Sequence, residues 1–184
     1  MSILVGALGV YTPGCVRGWA LGRLTAATAE AFGAPAPRLT GQGAGARLAA
    51  YARFTRSEAE AWLTAGRDVE ALEGRLFRAA VALGGQCRAW LRPHGTVEVL
   101  DAARVLYRLL DIDLRGDAGG GVTITRCYFG RYYSAEVCRV MSAMDRGLLA
   151  GLSGRGELTF TARITEGQPC CRARLSWPAG GAGR

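Results

Sequence analysis

The sequence predicts an α+β fold: N-terminal helices packed on a small antiparallel sheet, with a strand-helix-strand-strand unit at the C-terminal end. Two observations predict it. Before residue 111, apolar residues recur at spacings of three, four and seven, the period of a helix with one buried face. From Val122 the period changes to two, with Val122, Ile124 and Arg126 alternating against Thr123, Thr125 and Cys127. At 184 residues the chain can bury one core and shows no second block of comparable size. A single domain over residues 1–178 is expected, followed by a disordered tail at 179–184.

Val16, Ala20 and Leu24 share a helical face, so residues 15–32 are expected to form the first helix. The Gly- and Pro-rich stretch GAPAPRLTGQGAG at 33–45 reads as a connection. Ser57 and Glu60 have the spacing of a capping box, which places a helix start there. Trp62, Val69, Leu72, Leu76, Ala80 and Leu83 continue one apolar stripe, and the helix must stop before Pro93. Thr96 and Glu98 open another helix that buries Val99, Ala103, Leu106 and Leu110; the acidic, Gly-rich turn at 111–121 ends it. After the first strand, Ser134 is the candidate N-cap of a helix to about residue 151, with Glu136 favourably placed in its first turn. Val137, Met141, Met144 and Leu148 form its core stripe. Leu158, Phe160, Ala162 and Ile164 then share one side of a strand, Gly167 and Pro169 turn the chain, and residues 170–177 form the last strand.

All of the 23 basic residues are arginine, for a net charge of +8, but they are scattered singly and carry no nucleic-acid fold signature. A solvated basic surface is the simpler expectation, without nucleic acid as partner. The apolar start, MSILVGALGVYTPGCVRGWA, has no preceding positive charge, and Pro13 spoils a lipoprotein cleavage site, so no targeting segment is expected. No apolar run reaches the roughly 18 residues of a membrane span. The expected setting is cytoplasmic, where the six cysteines are thiols or metal ligands rather than a disulfide framework. The one histidine, His94, lies in a turn and makes His-based triads or zinc sites unpromising.

Residues 122–175 hold four of the six cysteines, Cys127, Cys138, Cys170 and Cys171, together with Asp145 inside a helical pattern. Cys138 and Asp145 are two helical turns apart, with Ser142 between them, on a face bordering the core stripe. A half-buried carboxylate there needs a partner, an arginine such as Arg139 or Arg146, or else becomes an acid usable near neutral pH. On the last strand Cys171, Ala173, Leu175 and Trp177 share the apolar face, whereas Cys170 falls with Arg172 and Arg174 on the other. Cys171 is therefore the thiol expected to meet Cys138 and Asp145. Cys127 joins them only if its strand bends near its end or if the threonine face looks inward. Cys15 and Cys87 read as small buried hydrophobes. Three uses remain open: a nucleophilic thiolate assisted by Asp145, a zinc or iron site of thiolates and a carboxylate, or thiols that fill core space.

The same stretch resembles the L-2-amino-thiazoline-4-carboxylic acid hydrolase family. The matching residues are Cys127 in ITRCYF, Cys138 in EVCRV, Asp145 in AMDRG, and Gly167 and Cys171 in TEGQPCCRARL. It covers about the last third of the chain, and departs from the pattern at Gln168, where an acid is usual, and at Arg172, where Asp is frequent. The resemblance implies hydrolytic opening of a small sulfur- and nitrogen-containing ring bearing a carboxylate, or a diverged ring-opening or ring-forming step. No cofactor is expected, with zinc or iron as the alternative. Cys171 or Cys138 would attack an amidine-like carbon, with Cys127 in the same site and Asp145 donating a proton to the leaving nitrogen. Arg126, Tyr128, Arg131 and Ser142 are the expected substrate contacts, an arginine such as Arg126, Arg131 or Arg139 holding the carboxylate. The alternative in a different class is a non-catalytic pocket that binds or senses a small molecule.

Overall fold

The computed structural model describes residues 14–39 and 43–177. The apolar start weighed as a targeting segment lies mostly outside them, as does the tail beyond residue 177. Among the described residues the order is α1 (Gly14–Phe32), α2 (Ala44–Thr64), α3 (Val69–Leu91), α4 (Gly95–Arg108), β1 (Asp113–Gly116), β2 (Gly121–Arg126), α5 (Ala135–Ser153), β3 (Glu157–Ala162) and β4 (Cys171–Ser176). Short 3-10 turns at Tyr128–Arg131 and Ile164–Glu166 follow β2 and β3. The strands form one antiparallel sheet in the order β1-β2-β4-β3. This is an α+β fold, and no described helix is long and apolar enough to cross a membrane.

The stretch read as one helix from Ser57 to Leu91 is two. Ser57 lies inside α2, and Glu60 bonds the Arg56 guanidinium at 2.7 Å instead of reaching back to a cap. Gly66, at φ +62°, breaks the chain, and Asp68 caps α3 by accepting from the Ala71 N–H at 3.0 Å. The apolar phase hid the break because Trp62 and Val69 are seven residues apart, the spacing that two turns of one continuous helix would give. Their two helices remain tied: the Trp62 indole N–H donates to the Asp68 carbonyl at 3.0 Å, and the Arg67 guanidinium covers the indole ring. The acidic stretch read only as a turn also contains β1, a four-residue strand too short to show alternation.

Helix α5 begins as expected, with Ser134 accepting from the Val137 N–H at 3.2 Å. It packs closely along α3 at Gly84, Gly147 and Gly151: a Cβ at any of the three would collide with backbone carbonyls of the facing helix, those of Leu148, Phe77 and Val81 respectively. Leu72, Leu76, Ala80, Val137 and Val140 fill one side of this pair. On the other side the sheet's inner face, Leu114, Val122, Ile124, Leu158, Ala173 and Leu175, packs with Leu149, Leu152 and residues of α2 and α4.

Two bulges break the alternation of this sheet. Leu114 pairs with Ile124 but Asp113 pairs with Arg126, so Thr125 is an extra residue on β2. Ala173 pairs with Phe160 but Arg172 pairs with Ala162, so Thr161 is an extra residue on β3. Beyond each bulge the inward positions change parity. Cys127 and Arg163, both outward by simple alternation, therefore turn inward, one on each side of the start of β4. Arg126 turns outward and is exposed.

Candidate active site

One pocket lies between α5 and the end of the sheet where β4 starts. Its free volume is about 110 Å3. Helix α5 contributes Cys138, Ser142 and Asp145 at spacings of four and three, together with Met141, Met144 and Leu148. The sheet contributes Ile124, Cys127, Phe160, Arg163 and Cys171, and Tyr51, Tyr107 and Tyr133 form aromatic walls. Thiols from three separate elements thus share a cavity with a single carboxylate and a single guanidinium.

Asp145 is the electrostatic centre. Its Oδ1 accepts a hydrogen bond from the Tyr107 hydroxyl at 2.7 Å. The expected arginine partner is not one: Arg146 binds Glu73 at 2.5 Å and Arg139 binds Glu166 at 2.8 Å. Burial raises the Asp145 pKa to about 6; the Tyr107 hydrogen bond and the charges of Arg163 and Arg146 oppose that rise. The carboxyl can gain or lose a proton near neutral pH.

The thiols are neutral groups at rest. Burial pushes Cys127 up to about 12, against the backbone N–H groups of Phe129 and Gly130. Cys138 and Cys171 are also raised, chiefly by burial, and the Asp145 charge adds to the rise in all three. Cys171 has thiolate support of two kinds. Its Sγ accepts from the Ile164 N–H at 3.3 Å, and Arg163 also favours its ionised form. Thr165 Oγ1 is buried without a well-formed hydrogen bond, yet lies close enough to the Cys138 thiol to draw its pKa down.

Arg163 is held rather than free. Its Nε donates to Ser142 Oγ at 3.4 Å, Nη1 is 3.8 Å from Glu166 Oε1, and the guanidinium lies over the Phe160 ring. The walls are also fixed: the Tyr51 hydroxyl is 3.0 Å from Thr28 Oγ1, and that of Tyr133 is 2.6 Å from Thr55 Oγ1.

The structure brings Cys127, Cys138, Ser142, Asp145 and Cys171 together. Arg126, Tyr128 and Arg131 do not line the pocket. The β2 bulge turns Arg126 to solvent; Tyr128 stacks on Tyr132 and edges onto Phe129; Arg131 lies over the Tyr128 ring, outside the cavity. Cys170 is half-buried and does not line the pocket; Cys15 is exposed and so is not a buried hydrophobe, whereas Cys87 is half-buried and packs against the core. Arg163 and Tyr107 are the pocket residues that reading faces from the sequence misses. Arg163 depends on a bulge with no local signature. Tyr107 was legible, since it falls four residues after Ala103 and eight after Val99, in phase with the buried face of α4.

Among the described residues no three His, Cys, Asp or Glu side chains are arranged to hold a metal ion, so the thiols and Asp145 do not form the ligand set a zinc or iron site needs. In comparisons with protein families, curated proteins and solved structures, the chain matches none.

Proposed function

We propose that this protein is a cysteine-dependent, hydrolase-like enzyme that opens a C–N or C–S bond in the ring of a small heterocyclic metabolite. One observation carries the reading: three thiols and a carboxyl that titrates near neutrality share one small pocket with a guanidinium. The free volume, about 110 Å3, compares with the roughly 150 Å3 engineered cavity that accepts benzene, so a single ring is the scale of ligand that fits. Arg163 is the anchor for a substrate carboxylate, in place of Arg126 and Arg131. A cytoplasmic setting, which keeps the thiols reduced, belongs to the same reading.

In this mechanism ionised Asp145 takes the proton of Cys171 as Sγ attacks an amidine-like ring carbon. The C–S bond forms and the ring C–N bond breaks. Asp145 returns the proton to the leaving nitrogen, and water then releases the carbon from sulfur. The Ile164 N–H and Arg163 stabilise negative charge on Sγ during attack. Because all three thiols are protonated at rest, the thiolate forms only with substrate bound.

The raised thiol pKa values favour one competing reading, a pocket that binds a small molecule without turning it over. Replacing Cys171 with serine separates the two. Turnover of cyclic amidines and thiazolines should fall by about a thousandfold or more in C171S while ligand binding survives, the scale of loss when a nucleophile is removed. Turnover unchanged in C171S would overturn the nucleophile assignment; binding without turnover in the wild-type protein would establish the binding role.

A further inference from the structure

A second concavity lies on the far side of the α3–α5 pair, away from the thiols. It is an open groove of about 1040 Å3. The end of α3, the turn into α4, the end of α5 and the start of β3 surround it. Phe77, Val81, Ala150 and Leu158 contribute apolar surface. Around that surface stand four guanidinia, Arg88, Arg92, Arg146 and Arg155, with His94 and a single carboxylate, Glu157.

Of the four groove arginines, Arg146 is paired with Glu73 and, among the described residues, the other three are not. Arg17, Arg56, Arg139 and Arg146 each have a carboxylate partner. Among the described residues Arg88, Arg92 and Arg155 have no hydrogen-bond or ion-pair partner for their side chains. Part of their role is to offset the negative ends of two helices, because Arg88 lies against Gly154 at the C-terminus of α5 and Arg92 caps α3. That role does not account for the backbone at Arg92. This residue sits at φ 45°, ψ 54°, a left-handed conformation that glycine adopts most easily, yet the position carries a long cationic side chain at the groove.

We propose that this groove binds a phosphorylated small molecule with an apolar or aromatic body of about nucleotide size. Unpaired guanidinium groups offer planar forks of N–H donors that match phosphate oxygens. The apolar floor receives the body, and the volume is at the upper end of the range for small-molecule sites. Placement of several cations around one floor, with one carboxylate opposing them, suits more than one negative charge on the ligand.

Isothermal titration of the full chain at low salt with ADP, adenosine and inorganic pyrophosphate tests this. ADP should bind at one site, with adenosine and pyrophosphate each weaker by about tenfold or more, because each supplies half of the recognition. The combined change R88Q/R92Q/R155Q should weaken ADP by about tenfold or more, whereas R115Q, on an exposed arginine of β1, should not. If circular dichroism shows the triple variant misfolded, Arg155→Gln alone, at an exposed position, should weaken ADP by about threefold. No ADP binding at millimolar concentration would overturn the proposal. So would equal affinity for ADP and pyrophosphate, unchanged binding in the groove variants, or binding of an RNA oligonucleotide in place of ADP.

Discussion

The Tyr107 hydroxyl donates a 2.7 Å hydrogen bond to Oδ1 of Asp145, joining α4 to α5 across the wall of the thiol pocket. Both groups are removed from bulk water, and the bond favours the ionised carboxylate. Tyr107 is correspondingly pushed well above the usual phenol range by burial and by the adjacent charge, so it remains a donor at any working pH. It acts as a positioning residue for Asp145.

Tyr107→Phe therefore raises the Asp145 pKa further above 6, by about one unit, the worth of a hydrogen bond to a charged group. Infrared titration of the protonated carboxyl band against an Asp145→Asn control measures it. A band that titrates at the wild-type pH in Y107F would show that this hydrogen bond does not set the proton affinity.

Asp145→Asn should stabilise the protein at pH 8 and change little at pH 4. Its folded pKa, about 6, lies above the ordinary value of 3.8, so the folded state holds the proton more tightly than the unfolded chain. Stability from this group is fully present below pH 3.8 and is lost as pH rises through 6. The difference corresponds to about 2–3 kcal/mol above pH 6, read as a shift of the urea midpoint. Activity should be lost in the same variant, a trade of function against stability.

Thiol reactivity should follow burial. With iodoacetamide at pH 7 the exposed Cys15 should react first, Cys138 and Cys171 slowly, and Cys127 last, because the buried thiols are held protonated. Peptide-resolved mass spectrometry gives the order. Rapid labelling of Cys171 at pH 6 in the absence of ligand would mean that the resting site already holds a thiolate.

Gly147→Ala should cost about 1–3 kcal/mol, the usual penalty for overpacking, because the new methyl meets the Phe77 carbonyl and the Ala80 side chain across the α3–α5 contact. Urea denaturation measures it. Gly45→Ala, where an added methyl meets nothing, is the matched control and should be neutral or stabilising.

By itself the sequence determined the α+β class, the start of α5 at Ser134, the inward face of β4, and the sharing of one helix face by Cys138, Ser142 and Asp145. These features are local: side-chain direction repeats every 3.6 residues on a helix and every two on a strand, and a cap is read from the residues beside it. What surrounds that face was decided only by tertiary structure. Register shifts against β1 and β4 make Thr125 and Thr161 extra residues, and these shifts turn Cys127 and Arg163 inward and Arg126 outward. The same limit explains the missed break at Gly66, where two helices keep one apolar phase. A bulge is a relation between two strands, and a hydrogen bond such as that from Tyr107 to Asp145 joins residues 38 apart in sequence, so neither is written in any single stretch of the chain.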